Sequence, residues 1–120
     1  MTRQVFKVLL FLKRRPGMST DEFRDYYENR HRVLCEKYMV GALRYVRRYV
    51  TVPEGAEEFD FDVITELWFD NPVAAEKVVE IVTKELMPAE IIADEERVFD
   101  RPKSRVATVV ECDSNVAPRT

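Results

Sequence analysis

The apolar run Val8-Leu9-Leu10-Phe11-Leu12 completes a segment that starts at Val5 and stops at Lys13-Arg14-Arg15-Pro16-Gly17. No other feature restricts the fold of this chain as strongly. The segment is too short for a good helix and ends on a Pro-Gly turn signal, so it reads as a β-strand. Side chains alternate across a strand, which puts Phe6, Val8, Leu10 and Leu12 on one face and Val5, Leu9 and Phe11 on the other. Both faces are apolar. A strand over Phe61–Phe69 repeats this, with Val63, Leu67 and Phe69 opposite Ile64 and Trp68. The chain has 120 residues, room for one domain, and its helices can cover only one face of a sheet. The other face would expose a large apolar patch unless a second sheet covers it, most simply from an identical subunit. A homodimer with a sheet-on-sheet core is therefore expected.

The remaining elements follow from local signals. Ser19-Thr20-Asp21-Glu22 matches a capping box and opens a helix running to about Lys37. Phe23, Tyr27, His31, Leu34 and Tyr38 form its inward stripe, and Gly41 lies near its stop. Leu43–Val52, dense in Tyr, Val and Thr with interleaved Arg, reads as a strand. Asp70-Asn71-Pro72 starts a second helix, Pro being tolerated at the first helical position. Ala75, Val78, Val79, Val82 and Leu86 supply its buried stripe. Pro88 breaks that helix, a short one follows from Ala89 to about Phe99, and Arg105–Cys112 is the last strand. The order β-α-β-β-α-(α)-β in one antiparallel sheet with right-handed crossovers gives an α+β, ferredoxin-like βαββαβ fold. Residues 1–112 form the expected single domain and residues 113–120 a frayed tail.

Charge and composition exclude several functions. Nineteen Lys and Arg against 22 Asp and Glu leave a net charge of −3, with the signs interspersed. Nucleic-acid backbones need a basic face, so Arg44, Arg47 and Arg48, interleaved with Tyr45 and Tyr49, serve at most to attract an anionic substrate. No apolar stretch approaches the roughly 20 residues of a membrane span. No leader pattern is read at the start, Cys35 and Cys112 form neither a CxxC nor a metal spacing, and the cytoplasm is the expected setting. Cys35 follows His31 by one turn, which allows a thiolate pairing, but it reads first as a buried structural cysteine. No metal cluster and no cofactor-binding loop is read in the sequence.

Several segments together resemble the EthD-like domain family. The stretch from Phe11 to Ser19, with Glu22-Phe23, Tyr26-Tyr27 and His31, is similar to the opening of those domains. Phe61-Asp62-Val63 with Glu66-Leu67-Trp68-Phe69-Asp70 resembles their third strand, and Ala93-Asp94-Glu95-Glu96 with Phe99-Asp100 the segment before their last strand. The resemblance spans roughly residues 6 to 112. It implies the dimeric α+β barrel group. That wider group includes polyketide cyclases, dehydratases, decarboxylases, lactone isomerases, cofactor-free monooxygenases and haem enzymes, among which fold alone does not choose.

His31, the single histidine, is the one side chain whose ordinary pKa suits proton transfer near neutral pH. On the face of Phe23 and Tyr27 it points toward the sheet, either as an acid–base group or as a core histidine held by a backbone carbonyl. Tyr27 lies one turn before it and Tyr45 on the strand beneath; each can orient a phenol or carbonyl, or simply pack. Trp68 is read as pocket wall or core, and Arg47 as an attraction for an anionic substrate. Glu66, a carboxylate inside an apolar strand, needs a partner among Arg44, Arg47 and Arg48. Asp94, Glu95 and Glu96 form an acidic run that reads first as a solvated face; what the family resemblance implies instead is an acid here that pairs with an arginine or orients His31.

The expected function is a small cofactor-independent lyase or isomerase of aromatic or polyketide-type metabolism. In that reading His31, Tyr27 and Tyr45 are catalytic, and Trp68, Arg47 and Asp94 bind a small hydrophobic or aromatic metabolite. Two alternatives stay open: a non-catalytic carrier of such a metabolite, and a haem-binding barrel with His31 as axial ligand.

Overall fold

The computed structural model describes residues 4–118. Strand β1 (Phe6–Leu12) ends in a tight turn in which Pro16 precedes Gly17 at φ +86°, a backbone conformation only glycine adopts without strain. Ser19 Oγ then accepts from the Glu22 N–H at 3.1 Å and caps α1 (Thr20–Tyr26). The helix continues through a π-helical turn (Tyr27–His31) into α2 (Arg32–Glu36).

This turn decides which side chains meet the sheet. Side chains four apart in a regular α-helix drift by about 40° per step, so a long column at that spacing would rotate away. The π turn absorbs one extra residue, and Phe23, Tyr27, His31 and Cys35 are all buried. Cys35 thus takes the place expected for Leu34, which is half-buried, while Tyr38 stands out at 46% exposure.

Strand β2 (Arg44–Tyr49), β3 (Val63–Phe69), α3 (Pro72–Thr83), α4 (Ala89–Val98) and β4 (Arg105–Thr108) complete the chain. The sheet is antiparallel with order β2-β3-β1-β4, the ferredoxin-like arrangement. Its register sets Leu10 opposite Thr65 and Val106, and Thr65 opposite Arg47. The helix-covered face carries Val8, Leu12, Val63, Thr65, Leu67 and Phe69, all buried. The other face carries Leu9, Phe11, Ile64, Glu66 and Trp68, and among the described residues no helix lies over it.

The strands are shorter than expected. β2 ends at Tyr49, opposite Val63, the first residue of β3, and one further backbone bond follows, Val50 N–H to Asp62 O at 2.9 Å. Phe61 and Asp62 stay outside β3, where the Asp62 carboxylate accepts from the Arg14 backbone N–H at 2.9 Å. β4 ends at Thr108, and Val109 and Val110 are exposed. Residues 1–3 of the expected domain and 119–120 of the expected tail lie outside the described residues.

Asn71 Oδ1 caps α3 by accepting from the Ala74 N–H at 2.8 Å. The far end of α3 closes with Leu86 N–H donating to Ile81 O at 2.8 Å and Glu85 N–H to Val82 O at 3.3 Å. That hydrogen-bond pattern needs a left-handed residue, and Glu85 supplies it at φ +54°. The reversal turns Leu86 outward, against the expectation that it joins the buried stripe.

Candidate functional site

A continuous polar network runs beneath α1 and α2, between them, α4 and the covered sheet face. His31 is its centre at 3% exposure. Its Nδ1 lies 2.8 Å from Asp94 Oδ2, and Asp94 Oδ1 accepts from the Tyr26 hydroxyl at 2.6 Å. On the other side of the ring, Nε2 lies 3.3 Å from Cys35 Sγ. Tyr45, beside that thiol, donates to the Tyr27 hydroxyl at 2.9 Å, and Tyr27 shares a 2.7 Å hydrogen bond with Thr65 Oγ1. Tyr27 and Phe99 close the imidazole edge-on, with ring centroids at 5.4 and 5.1 Å.

The charges follow from these contacts. Burial holds His31 below its ordinary pKa, against the opposing pull of Asp94. Burial raises Asp94 too, but hydrogen bonds from Tyr26 and His31 outweigh it and keep the carboxylate ionised. An ionised Asp94 only accepts, so the imidazole proton sits on Nδ1 and Nε2 is left as an acceptor. Burial pushes the Cys35 thiol up to about 12, so it stays protonated and donates to Nε2. The arrangement is a neutral base with an oriented tautomer, not a thiolate–imidazolium pair. Burial also raises Tyr27 and Tyr45, which stay neutral hydrogen-bonding phenols.

The structure thus brings together His31, Asp94, Tyr27 and Tyr45. Arg47 stands on the same sheet face but is taken up by Glu28, with contacts of 2.7 and 2.8 Å. That guanidinium, first of all, holds Glu28 below the usual carboxylate range. Trp68 lies on the opposite face of the sheet, between Lys7 and Arg44, whose cationic groups sit 4.0 and 4.7 Å from its ring. There Glu66 accepts from Arg48 at 2.6 Å and from the Trp68 indole at 3.2 Å.

Tyr26 and Thr65 are the network members that sequence reasoning missed. Thr65 has a signal, as the one hydroxyl among Val63, Leu67 and Phe69 on the covered face of β3. None of three described cavities is lined by His31, Tyr27 or Tyr45. The one on the covered face lies between α3, α4, β1 and β4, and Leu12, part of its wall, packs in the same cluster as Tyr27 and Phe99.

A model of the EthD domain family matches residues 15–102, well over half of the chain. The chain belongs to the EthD domain family. It is similar in structure to an EthD family protein of Bacillus halodurans C-125, with TM-score 0.60 and 16% identity over 91% of this chain and 100% of that one. A protein from Arabidopsis thaliana matches with TM-score 0.61 and 13% identity over 92% and 99% of the two chains. An EthD-like protein of Ralstonia eutropha JMP134 matches with TM-score 0.55 and 18% identity over 99% and 98%. At such identities the likeness speaks for the fold alone. No curated protein matches the sequence.

In this EthD domain the family-like motifs divide between scaffold and site. Lys13 and Arg14 tie the end of β1 to the segment before β3, through Glu58 at 2.9 Å and Asp62 at 2.9 Å respectively. Asp94, Glu95 and Phe99 surround two separate features: Asp94 and Phe99 touch His31, while Glu95 accepts from Arg101 at 3.2 Å. Both imidazole nitrogens are engaged inside the Tyr27–Phe99 enclosure. A haem iron would have to displace Cys35 and open that enclosure, so these residues do not fit an axial site. Among the described residues, no group of three or more His, Cys, Asp and Glu could hold a metal ion, and no helix is long and apolar enough to cross a membrane.

Proposed function

We propose that this EthD-family protein is a small, cofactor-independent lyase or isomerase that moves a proton on an aromatic or polyketide-type metabolite, with His31 as the base. The observation that carries the reading is the 2.8 Å contact of Asp94 with His31 Nδ1. It fixes the tautomer and leaves Nε2 basic, the base–orienter arrangement of general base catalysis. Tyr45 and Tyr27 are hydroxyl donors next to Cys35 and suit the stabilisation of a developing enolate. Substrate reaches Nε2 only if the Cys35 side chain swings off it and the Tyr27–Phe99 enclosure opens. Two free thiols, Cys35 and Cys112, fit a reducing cytoplasm. The uncovered sheet face, with Leu9, Phe11, Ile64 and Trp68, fits a homodimer.

The test is turnover of a panel of aryl ketones and aromatic β-keto acids, followed by deuterium incorporation and loss of carboxylate. His31→Gln is expected to keep the fold and lose roughly a hundredfold or more in rate. Equal rates in both proteins refute the assignment. A second reading, a carrier of a hydrophobic metabolite, is favoured by the sealing of His31 at 3% exposure. Ligand binding that survives His31→Ala, with no turnover anywhere in the panel, selects it.

A further inference from the structure

The cavity between α3, α4, β1 and β4 has a volume of about 400 Å³, within the range of small-ligand sites. Its floor is Leu10 and Leu12 of β1 and Val106 of β4, with Val82 and Met87 opposite. Its charged lining residues are Glu85, Glu95, Arg101 and Arg105. Arg101 Nε lies 3.2 Å from Glu95 Oε1, and Arg101 Nη2 lies 2.8 Å from Glu85 Oε1. The two carboxylates are unlike. Glu95 is largely buried at 16% side-chain exposure, whereas Glu85 is 64% exposed. Burial raises Glu95, against the opposing pull of Arg101.

Glu85 is also the residue that closes α3 at φ +54°, where glycine is the usual occupant. A non-glycine there is disfavoured by about 1 kcal/mol. The glutamate carries that penalty while its carboxylate occupies the outer edge of the Arg101 fork. An exposed ion pair of this kind is weak and exchanges readily.

We propose that this cavity is a binding site for a small apolar monocarboxylate, such as an aryl acid. Its carboxylate replaces Glu85 on Arg101, and its hydrophobic body rests on Leu10, Leu12, Val82 and Val106. One carboxylate replaces another, so the charge around Arg101 is unchanged, while apolar surface leaves water. Glu85 acts as a built-in competitor. The site is separate from the His31 contacts, since Asp94 and Glu95 are consecutive on α4 and point about 100° apart. The inference therefore holds whether or not His31 turns the ligand over.

Titration of 2-naphthoate and its neutral analogue 2-naphthalenemethanol, followed by calorimetry and by amide chemical shifts, tests it. Glu85→Ala is expected to tighten 2-naphthoate binding about threefold, by removing a competitor of exposed-ion-pair strength. Arg101→Met is expected to weaken it tenfold or more. Because Arg101→Met strands Glu95, Val82→Trp provides a second probe that fills the cavity and leaves the charges alone; it should abolish binding in a folded protein. Absence of 2-naphthoate binding to the Glu85→Ala protein at millimolar concentration overturns the proposal. So does equal affinity for the neutral alcohol, or binding undisturbed by Val82→Trp.

Discussion

Replacing Asp94 by Asn removes a charge from the middle of the network and changes little else. Asp94 accepts from Tyr26 at 2.6 Å and from His31 Nδ1 at 2.8 Å, with Arg97 at a marginal 3.4 Å. An asparagine of the same shape can accept the imidazole N–H through its oxygen and donate its amide N–H to the Tyr26 oxygen, so both contacts survive. What is lost is their charge assistance. A hydrogen bond to a charged group contributes about 1.5–3 kcal/mol and a neutral one about 0.5–1.5, so two downgraded bonds amount to about 2 kcal/mol. For a domain of this size that lowers Tm by about 6–12 °C. The same substitution removes the one neighbour that favours imidazolium, so His31, already held low by burial, moves lower still. Proton NMR reads this without assignment, because the chain has one histidine. The sign of the acid response follows. The unfolded chain takes up the imidazole proton first, so stability is full above about pH 6.5 and falls as pH drops toward the folded-state pKa. In Asp94→Asn that loss extends to lower pH. A variant whose unfolding free energy from urea denaturation changes by less than about 0.5 kcal/mol, or whose imidazole titrates higher than wild type, would refute the network as drawn.

Three further outcomes are expected. Tyr27→Phe takes a partner from both Thr65 and Tyr45 in a buried setting and should cost about 1–2 kcal/mol in urea unfolding. Adding Thr65→Val should then cost less than it does alone, and strict additivity would argue against the shared bond. Exposed Cys112 should react at once with an aromatic disulfide at neutral pH, while Cys35, its thiol pushed up to about 12, should react only as the protein opens. Its burial as a thiol also makes stability full below pH 9.0, the ordinary value, and declining as pH rises toward 12. Leu9→Arg, on the uncovered sheet face, should reduce the mass measured by light scattering from about twice 14.1 kDa to 14.1 kDa with helix and strand content unchanged; an undiminished mass would mean that this face is not the interface.

The two-sided apolar pattern of β1 and β3 made the sheet and its order legible in the sequence, because a period of two leaves few alternatives. Helix starts were equally plain, since Ser19 and Asn71 cap by side-chain chemistry that is local. Helix phase was not. The stripe through Leu34 and Tyr38 assumes uniform winding, and nothing local in Tyr27–His31 announces a wider turn. Leu86 was misassigned for a related reason: Glu85 adopts a conformation that glycine usually signals. Within the site, His31 and Asp94 were legible as types of residue, but their pairing depends on α4 packing against α1 and α2, a tertiary fact. Arg47 had the right face and the wrong partner count, because Glu28 lies a whole element away in sequence.

The π turn has a consequence for how sequences are compared. It holds a one-residue insertion that the helix absorbs within a single turn, leaving the segments on either side in their original phase. A relative without it would carry the same inward column with one spacing of three in place of four. Its histidine would then fall one place nearer to the phenylalanine that begins the column. An ungapped comparison would set that histidine against Arg30 and displace every later position by one. A single gap allowed between positions 27 and 31 restores both the imidazole and the thiol beyond it to their structural counterparts.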